Sequence, residues 1–337
     1  MLLSEFDYEL PERLIAKYPS TPRDHSKLLV VSRSSGEIKH QHFYDLPTFL
    51  KAGDCLVRNN TKVIPARILS KTESGQNFEI FLLKKLKESL EEWICLVKPG
   101  KKVRGELAVI LKDGSSARLG KTPEETFKVE FPPQKDFWAW LDKVGEPPLP
   151  PYIKRSASAE DVERYQTVFS KESGSVAAPT AGLHFTKELI DKLKNDRIEF
   201  ADITLHVGYG TFAPIRTHQI EEHQMHEESF FVTKEALSTI QTARERGGRI
   251  VAVGTTSVRT LESLPKQGLS GSTSLYITPG YEFKEIDGLI TNFHLPQSTL
   301  YVLVCSLLGS ELCKKAYQEA IDREYRFYGY GDAMLIL

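Results

Sequence analysis

Residues 250–259 read Ile-Val-Ala-Val-Gly-Thr-Thr-Ser-Val-Arg. The four apolar residues predict a short buried strand, and the segment after the glycine predicts a helix that begins with hydroxyl side chains. Strand–helix alternation builds α/β sheets, whose ligands bind at the carboxyl ends of the strands. Because a helix N-terminus carries free N–H groups and partial positive charge, this turn favours an anionic ligand. The candidate binding residues are Gly254, Thr255, Thr256, Ser257 and Arg259. The alternative is a well-capped helix in which Arg259 forms an ion pair within the protein.

The same alternation continues through the second half of the chain. Further strands are expected at Ile198–Val207 and Leu289–Thr291. The expected helices begin after Thr186 and Thr233, which are suited to cap them, or span Thr299–Leu308 and Glu311–Glu324. The pattern predicts a mostly parallel sheet covered by helices.

Residues 62–131 instead show short strands separated by turns. The expected strands are Val63–Leu69, Phe78–Leu83, Glu92–Val97, Glu106–Leu111 and Thr126–Phe131. Asp113-Gly114 offers a hairpin turn, and the close succession of strands favours a small barrel or sandwich. The proline-rich run 147–151 cannot be helical and predicts a stiff connector.

We therefore predict an α/β domain, with a mostly parallel sheet, formed by residues 1–60 and 152–337. An all-β, barrel-like domain is predicted to be inserted at residues 61–151. Two consecutive domains that meet at the proline-rich run are the alternative.

The composition is that of a globular protein, since 40% of the 337 residues are hydrophobic and 26% are charged. The net charge of −1 argues against a generally basic surface but permits a local basic face. We expect no signal peptide, because residues 1–7 lack a basic start followed by an apolar run. We expect no membrane span, because the longest apolar stretch, about Leu300–Leu308, is too short. The four cysteines form no C-x-x-C pair, which disfavours a zinc ribbon or an iron–sulfur cluster.

Three further polar segments could contribute to a site. They are the small-residue run Gly174–Phe185, residues 205–212 after a strand, and residues 291–296 after another strand. The candidate residues in these segments are His184, His206, Tyr209, Phe212, Asn292 and His294. Each segment could instead have a structural role. Gly174–Phe185 could be a packed loop, His206 a hydrogen-bonded structural histidine, and residues 291–296 a turn fixed at Pro296.

His223-Gln224-Met225-His226-Glu227 is the sequence most similar to a metal motif. Histidines three residues apart can share an ion if the segment is helical, but His-Glu-x-x-His is not present and no third ligand is near. We favour an acid–base or substrate-binding role for His226 and Glu227 and expect no metal site. A solvated turn is the alternative.

A basic stretch lies within the predicted barrel. Its residues Lys98, Lys101, Lys102 and Arg104 are not interrupted by an acid, and they could contact RNA phosphates. A solvated surface is the alternative.

Together these segments resemble, from end to end, the S-adenosylmethionine:tRNA ribosyltransferase-isomerase family of queuosine biosynthesis. The matching stretches are Phe6–Pro11, Arg23-Asp24, Asn59–Arg67, Pro150–Ile153, Tyr165–Phe169, Gly174–Phe185, His206–Phe212, His223–Glu227, Gly254–Ser263, Thr291–Pro296 and Tyr330–Ile336. The chain departs from the family pattern at Arg58, Lys62, Lys27 and Gly329.

The resemblance implies that the ribosyl part of S-adenosylmethionine is transferred to 7-aminomethyl-7-deazaguanine at the wobble position of a tRNA with a GUN anticodon. Rearrangement would give epoxyqueuosine and release adenine and methionine. The expected partners are therefore S-adenosylmethionine, as a substrate, and this tRNA, with no added cofactor or metal. A cytoplasmic and monomeric enzyme is expected, with the α/β fold and inserted barrel of the family.

This chemistry requires a base near the carbon beside the sulfonium and an acid near adenine. The candidates for proton transfer are His184, His206, His226 and His294, with Glu227 orienting one of them. Tyr209 or Phe212 could hold the sulfonium by cation–π attraction. We expect the Gly254–Arg259 turn to bind the methionine carboxylate. A metal-dependent hydrolase and a non-catalytic RNA-binding protein are the alternatives from other functional classes.

Overall fold

The computed structural model describes residues 1–86, 91–123, 126–150, 152–208 and 215–337. A nine-stranded sheet forms the larger part of the molecule. Its strands are β1 (Lys27–Val31), β2 (Ile38–His42), β3 (Cys55–Asn59), β13 (Glu199–Leu205), β14 (Glu228–Val232), β15 (Ile250–Val253), β16 (Ser270–Thr273), β17 (Gly288–Asn292) and β18 (Ala333–Ile336). Their order across the sheet is β16-β14-β13-β3-β15-β17-β18-β1-β2.

The centre of this sheet consists of four adjacent parallel strands, β13, β3, β15 and β17. All residues of β3, β15 and β17 are buried, as expected for strands that are covered on both faces. The pair β18–β1 is also parallel, whereas β17–β18, β1–β2, β13–β14 and β14–β16 are antiparallel. The sheet is therefore mixed, with a parallel centre.

Helices cover both faces of the sheet. They are α3 (Lys187–Asn195), α4 (Lys234–Glu245), α5 (Thr255–Gln267), α6 (Thr299–Leu308) and α7 (Ser310–Asp322), with a short α2 (Ala159–Arg164) before them. The predicted caps are confirmed, since Thr186 Oγ1 accepts the N–H of Leu189 at 3.1 Å and Thr233 Oγ1 accepts that of Ala236 at 3.0 Å.

The predicted inserted barrel is also confirmed. Its six antiparallel strands close through the pairing of β5 (Arg67–Lys71) with β8 (Leu107–Leu111), and a two-residue strand, β11 (Gly145–Glu146), pairs with β5. The strands are β5 (Arg67–Lys71), β6 (Asn77–Lys85), β7 (Glu92–Lys98), β8 (Leu107–Leu111), β9 (Ser116–Lys121) and β10 (Phe127–Glu130), followed by helix α1 (Phe137–Val144). Alternating apolar residues fill its separate hydrophobic core.

Two local features hold the barrel together, and the sequence predicts the first of them. Gly114 adopts φ 85° in the hairpin between β8 and β9, a conformation that favours glycine. Asp113 accepts a 2.7 Å hydrogen bond from the indole of Trp140, which attaches α1 to this hairpin.

The domain limits 61–151 remain a prediction. The barrel strands begin at Arg67, whereas the preceding β4 (Thr61–Val63) pairs with β12 (Glu172–Ser175), which follows the proline-rich run. Pro151 lies outside the described residues. None of the described helices has the length and apolar composition needed to span a lipid bilayer.

Candidate active site

The carboxyl ends of the four central parallel strands meet at one edge of the large sheet. A cavity of about 120 Å³ lies there. Its walls come from the small-residue run 177–181, the start of α5 at 254–256, the end of β17, and residues 294–298. This is the position at which open α/β sheets bind ligands.

The turn between β15 and α5 is shaped by Gly254, whose φ of 89° favours glycine. Its N–H donates to the carbonyl of Ile290 on β17 at 2.8 Å, which fixes the turn to the neighbouring strand. The first N–H groups of a helix have no acceptor within the helix, so those of Thr255 and Thr256 are available at the cavity wall. The geometry suits an anionic group.

Ser257 and Arg259, from the same predicted set, lie elsewhere. The Ser257 hydroxyl is fully buried and donates to the carbonyl of Val253 at 2.9 Å. The Arg259 guanidinium pairs with Glu228 and also donates to the carbonyls of Leu275 at 3.0 Å and Thr273 at 3.2 Å.

The Arg259–Glu228 pair is interior, because the two side chains are 5% and 4% exposed. Every nitrogen of the guanidinium therefore has an acceptor within the protein. The expectation that Arg259 binds a substrate carboxylate directly is not supported by these contacts, and the alternative, an internal ion pair, describes them. Glu228 also accepts the N–H of Gly208 at 3.0 Å, so the pair fixes the chain just after β13.

His294 lines the cavity. Its Nε2 lies 2.7 Å from the hydroxyl of Thr291, and burial lowers the pKa of His294 to about 3. The hydroxyl of Tyr8 donates to the His294 carbonyl, and the His294 N–H donates to the hydroxyl of Tyr317 at 3.2 Å. The ring is consequently neutral and its backbone is held from two sides.

His184 lies behind the cavity wall and is 4% exposed. Its Nδ1 is 2.7 Å from the Ser26 hydroxyl, and its Nε2 is 3.0 Å from Nδ2 of Asn292, which lines the cavity. Burial, together with the charges of Arg326 and Arg23, lowers the pKa of His184 to about 3. These contacts give His184 a supporting position rather than access to a ligand.

Asn292 has an unusual environment for a polar side chain. It is 2% exposed, and its Oδ1 has no hydrogen-bond partner among the described residues. Because a buried acceptor without a partner costs free energy, a ligand donor at this wall would be stabilising. Asn59, for which the sequence predicts no role in the site, lies nearby and donates to the carbonyl of Leu205 at 2.9 Å and to Thr256 Oγ1 at 3.4 Å.

His206 is half-buried at the end of β13, and its Nδ1 lies 2.9 Å from the hydroxyl of Thr61. A Cβ at Gly174 would lie 2.8 Å from its ring, so only glycine leaves room for this histidine. Burial lowers the pKa of His206, and the charge of Glu172 partly opposes that effect. Its neighbour Val207 lines the cavity.

His226 and Glu227 are exposed and are not brought to the cavity. The segment 223–227 is not helical, so His223 and His226 lack the spacing of a helical metal motif. Glu227 accepts a hydrogen bond from the Ser272 hydroxyl, and the His223 ring packs against Tyr276. Among the described residues no group of three potential metal ligands occurs. Tyr209 and Phe212 lie outside the described residues.

Two aromatic residues line the cavity although no role was predicted for them. The Tyr152 and Tyr328 rings are 3.8 Å apart between centroids, and the Tyr152 hydroxyl accepts the N–H of Gly329 at 3.1 Å. A Cβ at Gly329 would lie 2.6 Å from that hydroxyl, so glycine makes the contact possible. The sequence indicates this region only through the resemblance to the family, in which Pro150–Ile153 and Tyr330–Ile336 are matching stretches.

The predicted basic stretch lies on the barrel surface, where Lys98, Lys101, Lys102 and Arg104 are all exposed. Lys102 donates to the side-chain oxygen of Gln76 at 2.6 Å. Lys98 and Lys101 face a large cleft beside the linker that follows the barrel.

Comparisons with known proteins bear on this site. A family model described as "Queuosine biosynthesis protein" matches residues 3–336. The chain is 51% identical over the full length of both chains to the S-adenosylmethionine:tRNA ribosyltransferase-isomerase of Thermotoga petrophila, and 46% identical, again over both full lengths, to that of Citrifermentans bemidjiense. It is also similar to a crystal structure described as S-adenosylmethionine tRNA ribosyltransferase from Thermotoga maritima, with a TM-score of 0.58 and 39% identity over 99% of this chain and 100% of that one.

Proposed function

Since the chain belongs to the queuosine biosynthesis protein family, whose close relatives are ribosyltransferase-isomerases, we propose that it transfers the ribosyl part of S-adenosylmethionine to tRNA. The acceptor is the aminomethyl group of 7-aminomethyl-7-deazaguanine at the wobble position of a GUN anticodon. The transferred ribosyl group rearranges to the epoxycyclopentanediol of epoxyqueuosine, and adenine and methionine leave. The reaction takes place in the cytoplasm and uses no metal or further cofactor.

One observation carries this proposal: the N-terminus of α5 opens on the same cavity as His294 and Asn292. An anionic group and a group that transfers protons can therefore be held side by side. The methionine carboxylate is the anion of S-adenosylmethionine, and the N–H groups and hydroxyls of Thr255 and Thr256 are its proposed ligands. Gly254 permits the turn. Arg259 supports it indirectly, through Glu228 and Gly208.

His294 is the proposed base because its imidazole lies on the cavity wall, with Nε2 2.7 Å from the hydroxyl of Thr291. It would take the proton from the carbon beside the sulfonium, which the positive charge acidifies. His206, next to the cavity residue Val207, is the second candidate. The buried Asn292 Oδ1 is a suitable acceptor for an N–H or O–H of the substrate.

The assignment is tested by measuring adenine release from S-adenosylmethionine. We expect release only when tRNA that carries the 7-deazaguanine precursor is present, and we expect it to continue in EDTA. A protein that loses all activity in EDTA and regains it with zinc would instead be a metal-dependent hydrolase. A protein that binds the tRNA but releases no adenine would be a non-catalytic RNA-binding protein.

A further inference from the structure

A cleft with a volume of about 1,220 Å³ lies between the barrel and the linker that follows it, and residues 148–150 and 153–156 line it on the linker side. Its described walls carry six cationic side chains and one acidic side chain, although the chain as a whole has a net charge of −1. These residues are Arg67, Lys98, Lys101, Lys121, Lys154, Arg155 and Glu79. The cleft is therefore a local concentration of positive charge.

Three of the cations are paired within the protein. Arg67 contacts Glu79 at 2.8 Å, Arg155 contacts Asp161 at 2.6 Å, and Lys154 contacts Glu12 at 2.7 Å. In contrast, Lys98, Lys101 and Lys121 have no ion-pair partner among the described residues. All three are exposed, and they come from different parts of the barrel: the end of β7, the turn after it, and the end of β9. Their charges are available to an anion in the cleft.

Apolar side chains contribute to the walls between these cations. Leu96 and Phe127 lie on the barrel side, and Leu149 and Ile153 lie on the linker side. Phosphates along a cationic groove and bases or sugars against apolar side chains are the contacts that nucleic-acid strands make.

The cleft is close to the cavity at the sheet edge. Tyr152 lines the cavity, whereas the next two residues, Ile153 and Lys154, line the cleft. Two residues of chain span at most about 7 Å. A strand held in the cleft can therefore place one of its nucleotides at the cavity.

We propose that this cleft binds the phosphodiester backbone of the RNA substrate beside the nucleotide that is modified. Lys98, Lys101 and Lys121 contact its phosphates. The inference rests on the proposed function. It also changes the set of RNA-contacting residues that the sequence predicts, because it adds Lys121 and leaves out Lys102 and Arg104. Lys102 and Arg104 line a separate depression that Lys101 also borders, so adjacency in sequence does not place them in the cleft.

The test uses the full-length protein and, as a probe, an in vitro transcript of a tRNA with a GUN anticodon. The cleft variant carries Lys98→Gln, Lys101→Gln and Lys121→Gln. The matched control carries Lys102→Gln, Arg104→Gln and Lys112→Gln, which removes the same charge from exposed positions of the same barrel outside the cleft. Dissociation constants are measured at several salt concentrations, and melting curves show that both variants are folded.

We expect the cleft variant to bind about tenfold more weakly. The slope of log K against log salt concentration should fall in magnitude by about 2–3, because each lost phosphate contact removes roughly 0.7–0.9. The control should stay within about twofold of the unchanged protein. Equal weakening in both variants, or an unchanged slope in the cleft variant, would overturn the proposal.

Two further measurements distinguish a failure of this inference from a failure of the proposed function. Binding is measured without S-adenosylmethionine, so it does not depend on turnover, whereas adenine release by the unchanged protein tests the function alone. If the triple variant does not fold, the single substitution Lys98→Gln takes its place, with Lys112→Gln as its control and an expected slope change of about 1.

Discussion

Arg259 shows that an arginine near a helix N-terminus can either bind a ligand or form an ion pair within the protein. The sequence places it five residues after Gly254, near a helix N-terminus, where a carboxylate ligand is reasonable. In the structure its guanidinium is surrounded by Glu228 and two backbone carbonyls, with 5% of the side chain exposed. No local pattern predicts this pairing, because Glu228 lies 31 residues earlier, at the start of β14, whereas Arg259 lies in α5.

Replacing Arg259 by alanine is therefore expected to reduce stability. The Glu228 carboxylate would remain buried without the charge of the Arg259 guanidinium, at a cost of about 3–5 kcal/mol in the free energy of unfolding. Urea unfolding measures this cost, and Arg259→Lys should recover only part of it, because an ammonium cannot make all three contacts. The exposed Arg246→Ala is the control and should change the free energy by less than about 0.5 kcal/mol.

The contrary result is equally clear. Unchanged unfolding of Arg259→Ala, combined with a ten- to hundredfold higher KM for S-adenosylmethionine, roughly the loss of one charge-assisted hydrogen bond, would mean that Arg259 binds the substrate carboxylate directly. The internal ion pair would then not be its main role.

At the scale of elements, the loop of residues 294–298 depends on the N-terminal segment. Gln297 adopts a φ of 56°, and its N–H donates to the carbonyl of Phe6 at 2.8 Å. Its side chain donates to Asp7 at 2.8 Å, and the Tyr8 hydroxyl donates to the carbonyl of His294. The Phe-Asp-Tyr segment therefore positions a wall of the cavity from a distant part of the sequence.

Tyr8→Phe tests this positioning role. It retains the ring that packs 5.0 Å from Tyr301 and removes only the hydrogen bond to His294. Since such a bond contributes about 0.5–1.5 kcal/mol, we expect the kcat/KM for S-adenosylmethionine to fall by roughly two- to tenfold, with tRNA affinity unchanged. Tyr44→Phe, at an exposed tyrosine, is the control. Kinetics of Tyr8→Phe equal to those of the unchanged protein would contradict the role.

Elements with strong local signals were predictable from the sequence. The apolar run of β15, the caps at Thr186 and Thr233, and the Asp113-Gly114 hairpin all occur as expected. Elements that depend on distant pairing were not. β18, at the end of the chain, lies between β17 and β1, and the resulting antiparallel pair makes the sheet mixed. Strand order of this kind is set by tertiary contacts and has no local sequence pattern.

The residues of the candidate site also divide into those with a local sequence signal and those that tertiary contacts bring to the cavity. Gly254, Thr255 and Thr256 could be found because they follow a buried strand directly, and Asn292 and His294 lie at the end of another buried strand, β17, and just after it. Tyr152 could not, since it reaches the cavity from the linker after the barrel. His226 and Glu227 resembled site residues in the sequence, but they lie exposed in a non-helical segment.

At the scale of the whole molecule, the inserted barrel and the α/β domain have separate hydrophobic cores and are joined by the linker that contains Tyr152. This linker borders both the cationic cleft and the cavity. This arrangement is consistent with the proposed action of a protein with a net charge of −1 on a polyanion, because the positive charge of the cleft is concentrated beside the cavity rather than spread over the surface.

The transfer of ribose is the central claim, and it is tested most directly with isotopically labelled S-adenosylmethionine. Three preparations carry the label in the ribose, the methyl group or the adenine, and each is incubated with the protein and precursor-bearing tRNA. We predict that only the ribose label becomes bound to tRNA, in a nucleoside digest as a modified 7-deazaguanosine. Transfer of the methyl label, or no transfer of the ribose label while the tRNA is bound, would contradict the account.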